Sequence, residues 1–211
     1  REIGSLSSAK TSLLTSASLF GATAGSILAV LVGEALGRRR ELIAGSALYA
    51  AGTVVTIFSP VTTGSQVISF VLAGRITYGV GIALSMNAAP LYIAEIAPAR
   101  VRGRLVSLKE AFIVLGILCG FAASATFEHA LPPSEAWRAI WAPPLPLALA
   151  VMLGMWYLPP SPRWLLLRAA TRSLNDPGAR EAALQAARRA LARLRRGAAA
   201  AQLEAEIKEI E

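Results

Sequence analysis

Residues 74–107 read GRITYGVGIALSMNAAPLYIAEIAPARVRGRLVS. This is an apolar, glycine-rich run long enough to cross a bilayer, with Arg75 near one end and Glu95 near the other. An arginine at the centre of a membrane helix costs about 2.5–3.5 kcal/mol even on the mild insertion scale, so Arg75 needs a partner, a water-filled cavity or both. Arg75 lies nine residues into a run starting at Gln66, which at about 1.5 Å per residue is ~14 Å deep, close to the bilayer centre.

The rest of the chain agrees with a membrane reading. Of 211 residues, 55% are hydrophobic and 16% charged, too apolar for a soluble domain of this length. The composition predicts an all-α integral membrane protein. Runs long enough to span the hydrocarbon fall at 12–32, 42–58, 66–89, 105–127 and 141–158, giving a transmembrane bundle over 1–158. After Pro159 the composition turns to Arg, Ala and Glu, so 159–211 reads as a cytoplasmic helical extension. Within it Asp176 and Pro177 open a helix, Leu184, Leu191 and Leu194 stripe it and Gly197 closes it, and Leu203, Ile207 and Ile210 mark a second.

Basic residues alternate between connections. Arg38, Arg39 and Arg40 follow the first run and Arg100, Arg102 and Arg104 the third, whereas 59–65 has none. The start of the chain is therefore outside and the tail cytoplasmic. The same placement explains the net charge of +8 without nucleic acid. Cys119 lies alone in an apolar run, and His129 has no neighbouring His or Cys at metal-ligand spacing, so neither metal nor cofactor is expected. No nucleophile, base and orienting acid can be assembled, so the chain does not read as an enzyme. Gly21 and Gly25, with Ala17, and Gly79 and Gly81 are spaced for close helix contact.

Four motifs, in order and spaced alike over residues 6–168, resemble the sugar porter family of the major facilitator superfamily. GEALGRRR (33–40) resembles its D-R-x-G-R-R loop, and GRITYGVG its G-R-x-x-x-G-x-G helix. PLYIAEIAPARVRG resembles P-x-Y-x-x-E-x-x-P-x-x-x-R-G, and PPSPRWLLLR resembles P-E-S-P-R-W-L-L. The resemblance implies helices two to six of a twelve-helix transporter plus cytoplasmic helices. The first helix and the C-terminal half then lie outside this sequence, and the chain starts at Arg1 as a fragment would. It further implies proton-coupled symport of a monosaccharide of the xylose or glucose type by alternating access. An uncoupled facilitator, or an inactive or sensor-type truncated transporter, is the alternative.

By the same resemblance Arg75 faces an acid on the first helix whose protonation loosens the pair, linking proton to conformation. Glu110 stands where the family has a sugar-binding glutamine. As a carboxylate ~9 Å into its span it is expected to face the cavity, binding sugar hydroxyls or serving as a second titratable site beside Arg75, with Lys109 directed elsewhere. Ile113, Val114 and Ile117, three, four and seven residues on, would wall the sugar ring. Glu34, Arg38, Arg39, Glu95, Arg102 and Arg163 match the salt bridges of the inner gate. Ala35 and Pro160 depart from the pattern, and Pro160 replaces a glutamate that would pair with the gate arginines.

Overall fold

The computed structural model describes residues 8–59, 64–172, 177–195 and 207. Among these, every regular element is a helix: α1 (Ser8–Leu36), α2 (Arg38–Ile57), α3 (Gly64–Ile96), α4 (Ala99–Ala130), α5 (Pro133–Trp141), α6 (Pro144–Tyr157), α7 (Pro162–Arg172) and α8 (Pro177–Leu194). α3 is the centre. It packs along α1 on one side and α2 on the other; α2 in turn packs on α6, and α7 on α8.

Small residues permit this packing. A Cβ at Gly21 or Gly25 would run into the α3 main chain at Ile76 or Val80, and one at Gly79 into Ser18 and Ala22 of α1. Gly52 and Gly45 of α2 sit equally close to Gly74, Tyr78, Gly81 and Ser85 of α3. Without a hydrophobic drive between helices in lipid, such backbone-to-backbone approach supplies the attraction. Towards the C-terminal end of α3, Leu42, Ala88, Tyr92 and Met155 form the buried cluster, with Ile43, Ala89 and Ile96 against it.

Among the described residues four segments are long and apolar enough to cross a membrane: Ser12–Leu36, Val67–Ile96, Ala99–Ala130 and Glu135–Tyr157. α2 is the expected span outside this set, because Arg38, Arg39, Arg40 and Glu41 occupy its first four positions. It lies sheltered between α3 and α6. The run expected at 141–158 is α6, 144–157, with Trp141 as the last residue of the preceding α5. Pro143 and Pro144 have no N–H for the carbonyls one turn back, so α5 stops at Trp141 and α6 starts at Pro144. In the tail α8 opens at Pro177 as expected, and Leu191 and Ile207 are both buried. Asp176, Gly197, Leu203 and Ile210 lie outside the described residues.

α4 differs from its neighbours. None of its residues is buried, and Phe112, Leu118 and Phe121 are all more than 60% exposed.

Candidate functional site

Functional groups gather at two levels of the bundle. The first surrounds Arg75. Its guanidinium carbon stands 4.2 Å from the ring centroid of Trp141, at the end of α5, and its buried Nε has no hydrogen-bond partner. Beside it Tyr78, one turn further along α3, meets Tyr49 of α2, with hydroxyls 3.2 Å apart and ring centroids at 4.4 Å. Gly81 and Gly52 make room for this pair, since a Cβ on either would strike the backbone of Tyr49 or Tyr78. No carboxylate among the described residues forms a salt bridge with Arg75. The result is a half-buried cation held over a π face, with its buried Nε donor unused.

The structure does not join Glu110 to Arg75. Glu110 is 68% exposed and pairs with its neighbour Lys109, Oε1 to Nζ 2.9 Å. The expectation that Lys109 turns away is thus corrected: four methylenes let its ammonium curve back across the 100° between adjacent positions. Val114 and Ile117 are exposed on the same uncovered helix. Ile113 is half-buried and lines an apolar hollow of about 630 Å³ with Phe112, Leu108 and Ile93.

The second level lies at the other end of the bundle, where α1 meets α2 and α7. Gly37 caps α2 at φ 80°, ψ 150°, a conformation closed to residues with a Cβ, and the Trp164 ring of α7 lies directly on it. Trp164 Nε1 donates to the Glu34 carbonyl at 2.8 Å, and Arg168 stacks on the outer side of its indole at 4.9 Å. Arg38 donates from Nε to Glu95 Oε1 at 3.3 Å, with both side chains mostly buried.

Of the six expected gate residues, these two form the ion pair. Arg39 instead grips main chain, donating to the carbonyls of Met155 at 3.0 Å and Trp156 at 2.6 Å. A cation at a helix C-terminus meets unpaired carbonyls and the negative end of the dipole. Glu34 takes part through its carbonyl, and its exposed side chain makes no ion pair among the described residues. Arg102 reaches Ala97 O at 3.5 Å, and Arg163 is exposed without a described partner. A hollow of about 420 Å³ beneath the latch is lined by Arg38, Arg39, Arg40, Pro160, Trp164 and Arg168, with no carboxylate in its wall. Pro160 brings no carboxylate to this wall; Arg38 is compensated by Glu95 and Arg39 by carbonyls instead.

Several participants were not legible beforehand. Glu41 is fully buried, accepting from Asn87 Nδ2 at 3.0 Å while its other oxygen has no partner, and Gly33 lies against it. Tyr92 donates to Pro159 O at 2.7 Å, and Arg195 of the tail donates to Ile96 O at the end of α3, at 3.0 Å. The signal for Glu41 was its fourth place in a charged run that opens an apolar helix. For Tyr92 it was its place in the P-x-Y-x-x-E stretch.

Comparison with known proteins gives a consistent result. A family model described as sugar (and other) transporter matches residues 2–208. D-xylose-proton symporter-like 2 of Arabidopsis thaliana is 45% identical over 180 residues, covering 85% of this chain and 34% of that protein. D-xylose-proton symporter-like 3, chloroplastic, of the same plant is 49% identical over 157 residues, covering 74% of this chain and 26% of its own length. The chain thus spans about a third of the curated relatives it matches. Among solved structures, the proton:xylose symporter XylE bound to 6-bromo-6-deoxy-D-glucose superposes with a TM-score of 0.80 at 23% identity, over 98% of this chain and 44% of that one, a likeness of fold.

Proposed function

This chain belongs to the sugar (and other) transporter family, and from that premise we propose that it forms most of one half-bundle of a proton-coupled monosaccharide symporter working by alternating access. It is an integral membrane protein whose relatives are transporters, not enzymes. The substrate class is a xylose- or glucose-type sugar, in keeping with the names of the relatives. A further helix carrying an acid opposite Arg75, and a second bundle covering the bare flank of α4, complete the pathway, because transporters of this build bind substrate between two repeats.

One observation carries the coupling assignment. Arg75 is held inside the bundle by a neutral ring, with no salt-bridged carboxylate among the described residues and a buried Nε still without an acceptor. A cation so placed draws a carboxylate from a neighbouring helix, and protonation of that acid releases it. Arg38–Glu95 and the carbonyl grips of Arg39 form the inner gate, biasing the two states by a few kcal/mol. Glu110, Val114 and Ile117 face the opening at α4, where Glu110 exchanges Lys109 for sugar hydroxyls.

The test is uptake of radiolabelled xylose and glucose into proteoliposomes by the transporter carrying this segment, with and without an inward proton gradient. Accumulation that collapses with a protonophore and disappears in Arg75→Ala, with membrane insertion unchanged, supports the assignment. Equilibration without accumulation refutes symport and makes the protein a facilitator; no flux of either sugar refutes the substrate class.

A further inference from the structure

We propose that Trp141 is the positioning residue for Arg75, holding the guanidinium over its ring so that the unpartnered Nε–H stays available to the coupling acid. The inference rests on the symport reading above and adds a residue to it.

Three features place the indole. Pro143 and Pro144 end α5, so Trp141 is its last residue, next to the break; Ala142 N–H there turns to Ala139 O at 3.2 Å, and Leu145 N–H bridges the break to Ala142 O at 3.0 Å. Arg138, one turn earlier, ties the same helix to the segment just after α2 by donating to the Ser59 carbonyl at 3.1 Å, and stacks on Trp137 at 4.9 Å. Arg75 comes from α3, whose approach to α2 is set by Gly74 and Gly52 in contact. The stack therefore joins two elements fixed independently, and does not depend on a flexible side chain finding its place.

The chemistry suits the task better than a carboxylate would. A resident acid would occupy the N–H fork and compete with the coupling acid for it. An indole attracts the cation through the quadrupole of its face and accepts no strong hydrogen bond, so it does not compete with the coupling acid for the N–H donors. When the coupling acid is protonated and departs, the same ring keeps the cation from swinging toward water, so the site is ready for the next cycle.

Among the described residues, no other side chain holds the guanidinium in this way. Tyr78 on α3 and Tyr49 on α2 are bonded to one another, Arg138 of α5 is directed to Ser59, and α1 presents Ser18, Gly21 and Ala22 to this part of α3. None of these is a carboxylate.

The experiment is proton-driven sugar uptake against external pH in proteoliposomes, for wild type, Trp141→Leu and Trp141→Phe, alongside gradient-independent sugar exchange. A carboxylate close to a guanidinium gives up its proton at lower pH. With Trp141→Leu the cation is held less closely, so the fall of uptake with rising pH moves to higher pH, by up to about one unit, a tenfold change in the protonation constant. Exchange persists. Trp141→Phe, which retains a ring of weaker face, gives a smaller shift of the same sign. If Trp141→Leu does not reach the membrane, Trp141→Phe carries the test alone. A wild-type pH profile in these variants, with accumulation still lost in Arg75→Ala, overturns the role of Trp141 and leaves symport standing. A wild type insensitive to the gradient overturns symport and this inference with it.

Discussion

Replacing Gly37 with alanine should release α7 from the bundle. At φ 80°, ψ 150° a Cβ is strained by about 1–3 kcal/mol, and here it would also fall 2.6 Å from Trp164 Cε2. The indole must move. That breaks the Trp164 Nε1 bond to Glu34 O, about 0.5–1.5 kcal/mol, and the Arg168 stack, about 0.5–1 kcal/mol at an exposed site. Together the loss is roughly 2–5 kcal/mol, which at about 2–4 °C per kcal/mol for a chain of this size lowers the melting midpoint by on the order of 5–15 °C. Size-exclusion of detergent-solubilised protein after heating reads this directly. Gly103→Ala is the matched control, since nothing lies within 4 Å of the Cβ it would add, and alanine is the better helix former by about 0.5–1 kcal/mol. If Gly37→Ala melts with wild type, neither the strain nor the contact with Trp164 holds α7 in place.

Arg38→Gln and Glu95→Gln should be less than additive by about 1–2 kcal/mol in a double-mutant cycle on the same midpoint, as expected for a charged hydrogen bond that is mostly buried; strict additivity rejects the latch. Glu110→Gln should leave the midpoint within about 0.5 kcal/mol, because its exposed pair with Lys109 is worth little, and should retain sugar binding. Lost binding in a folded protein would make the charge itself the requirement. Gly79→Val should abolish monodisperse protein, because its side chain would occupy the space of Ser18 O on α1, and normal yield would refute the close α1–α3 seam.

Much of this molecule was legible as sequence because membrane helices announce themselves by length and apolarity, and because the four motifs lie where chain turns and charged ends must be. The small-residue seam of Gly21, Gly25 and Gly79 was read as packing and is packing. Three things escaped. The break after Trp141 was hidden because the apolar run continues unaltered through Pro143 and Pro144, and composition reports hydrophobicity, not missing donors. The latch was expected as pairs of charged side chains, yet Arg39, Tyr92, Trp164 and Arg195 all donate to carbonyls, which every residue has and no sequence marks. Lys109 was directed away from Glu110 by helical angle alone, whereas their contact was decided by the reach of the lysine and by the open space beside α4.

The carbonyl grips have a consequence for how this protein can change over evolutionary time. A clamp that reads main-chain oxygen has no opinion about the side chain carried there. Met155, Trp156 and Ile96 can drift among apolar residues without loosening it, while the donor on the other side has no such freedom. Two sides of one contact therefore evolve at different rates. Searching for coupled substitutions would miss these joints altogether, and the invariant partner of each would look solitary.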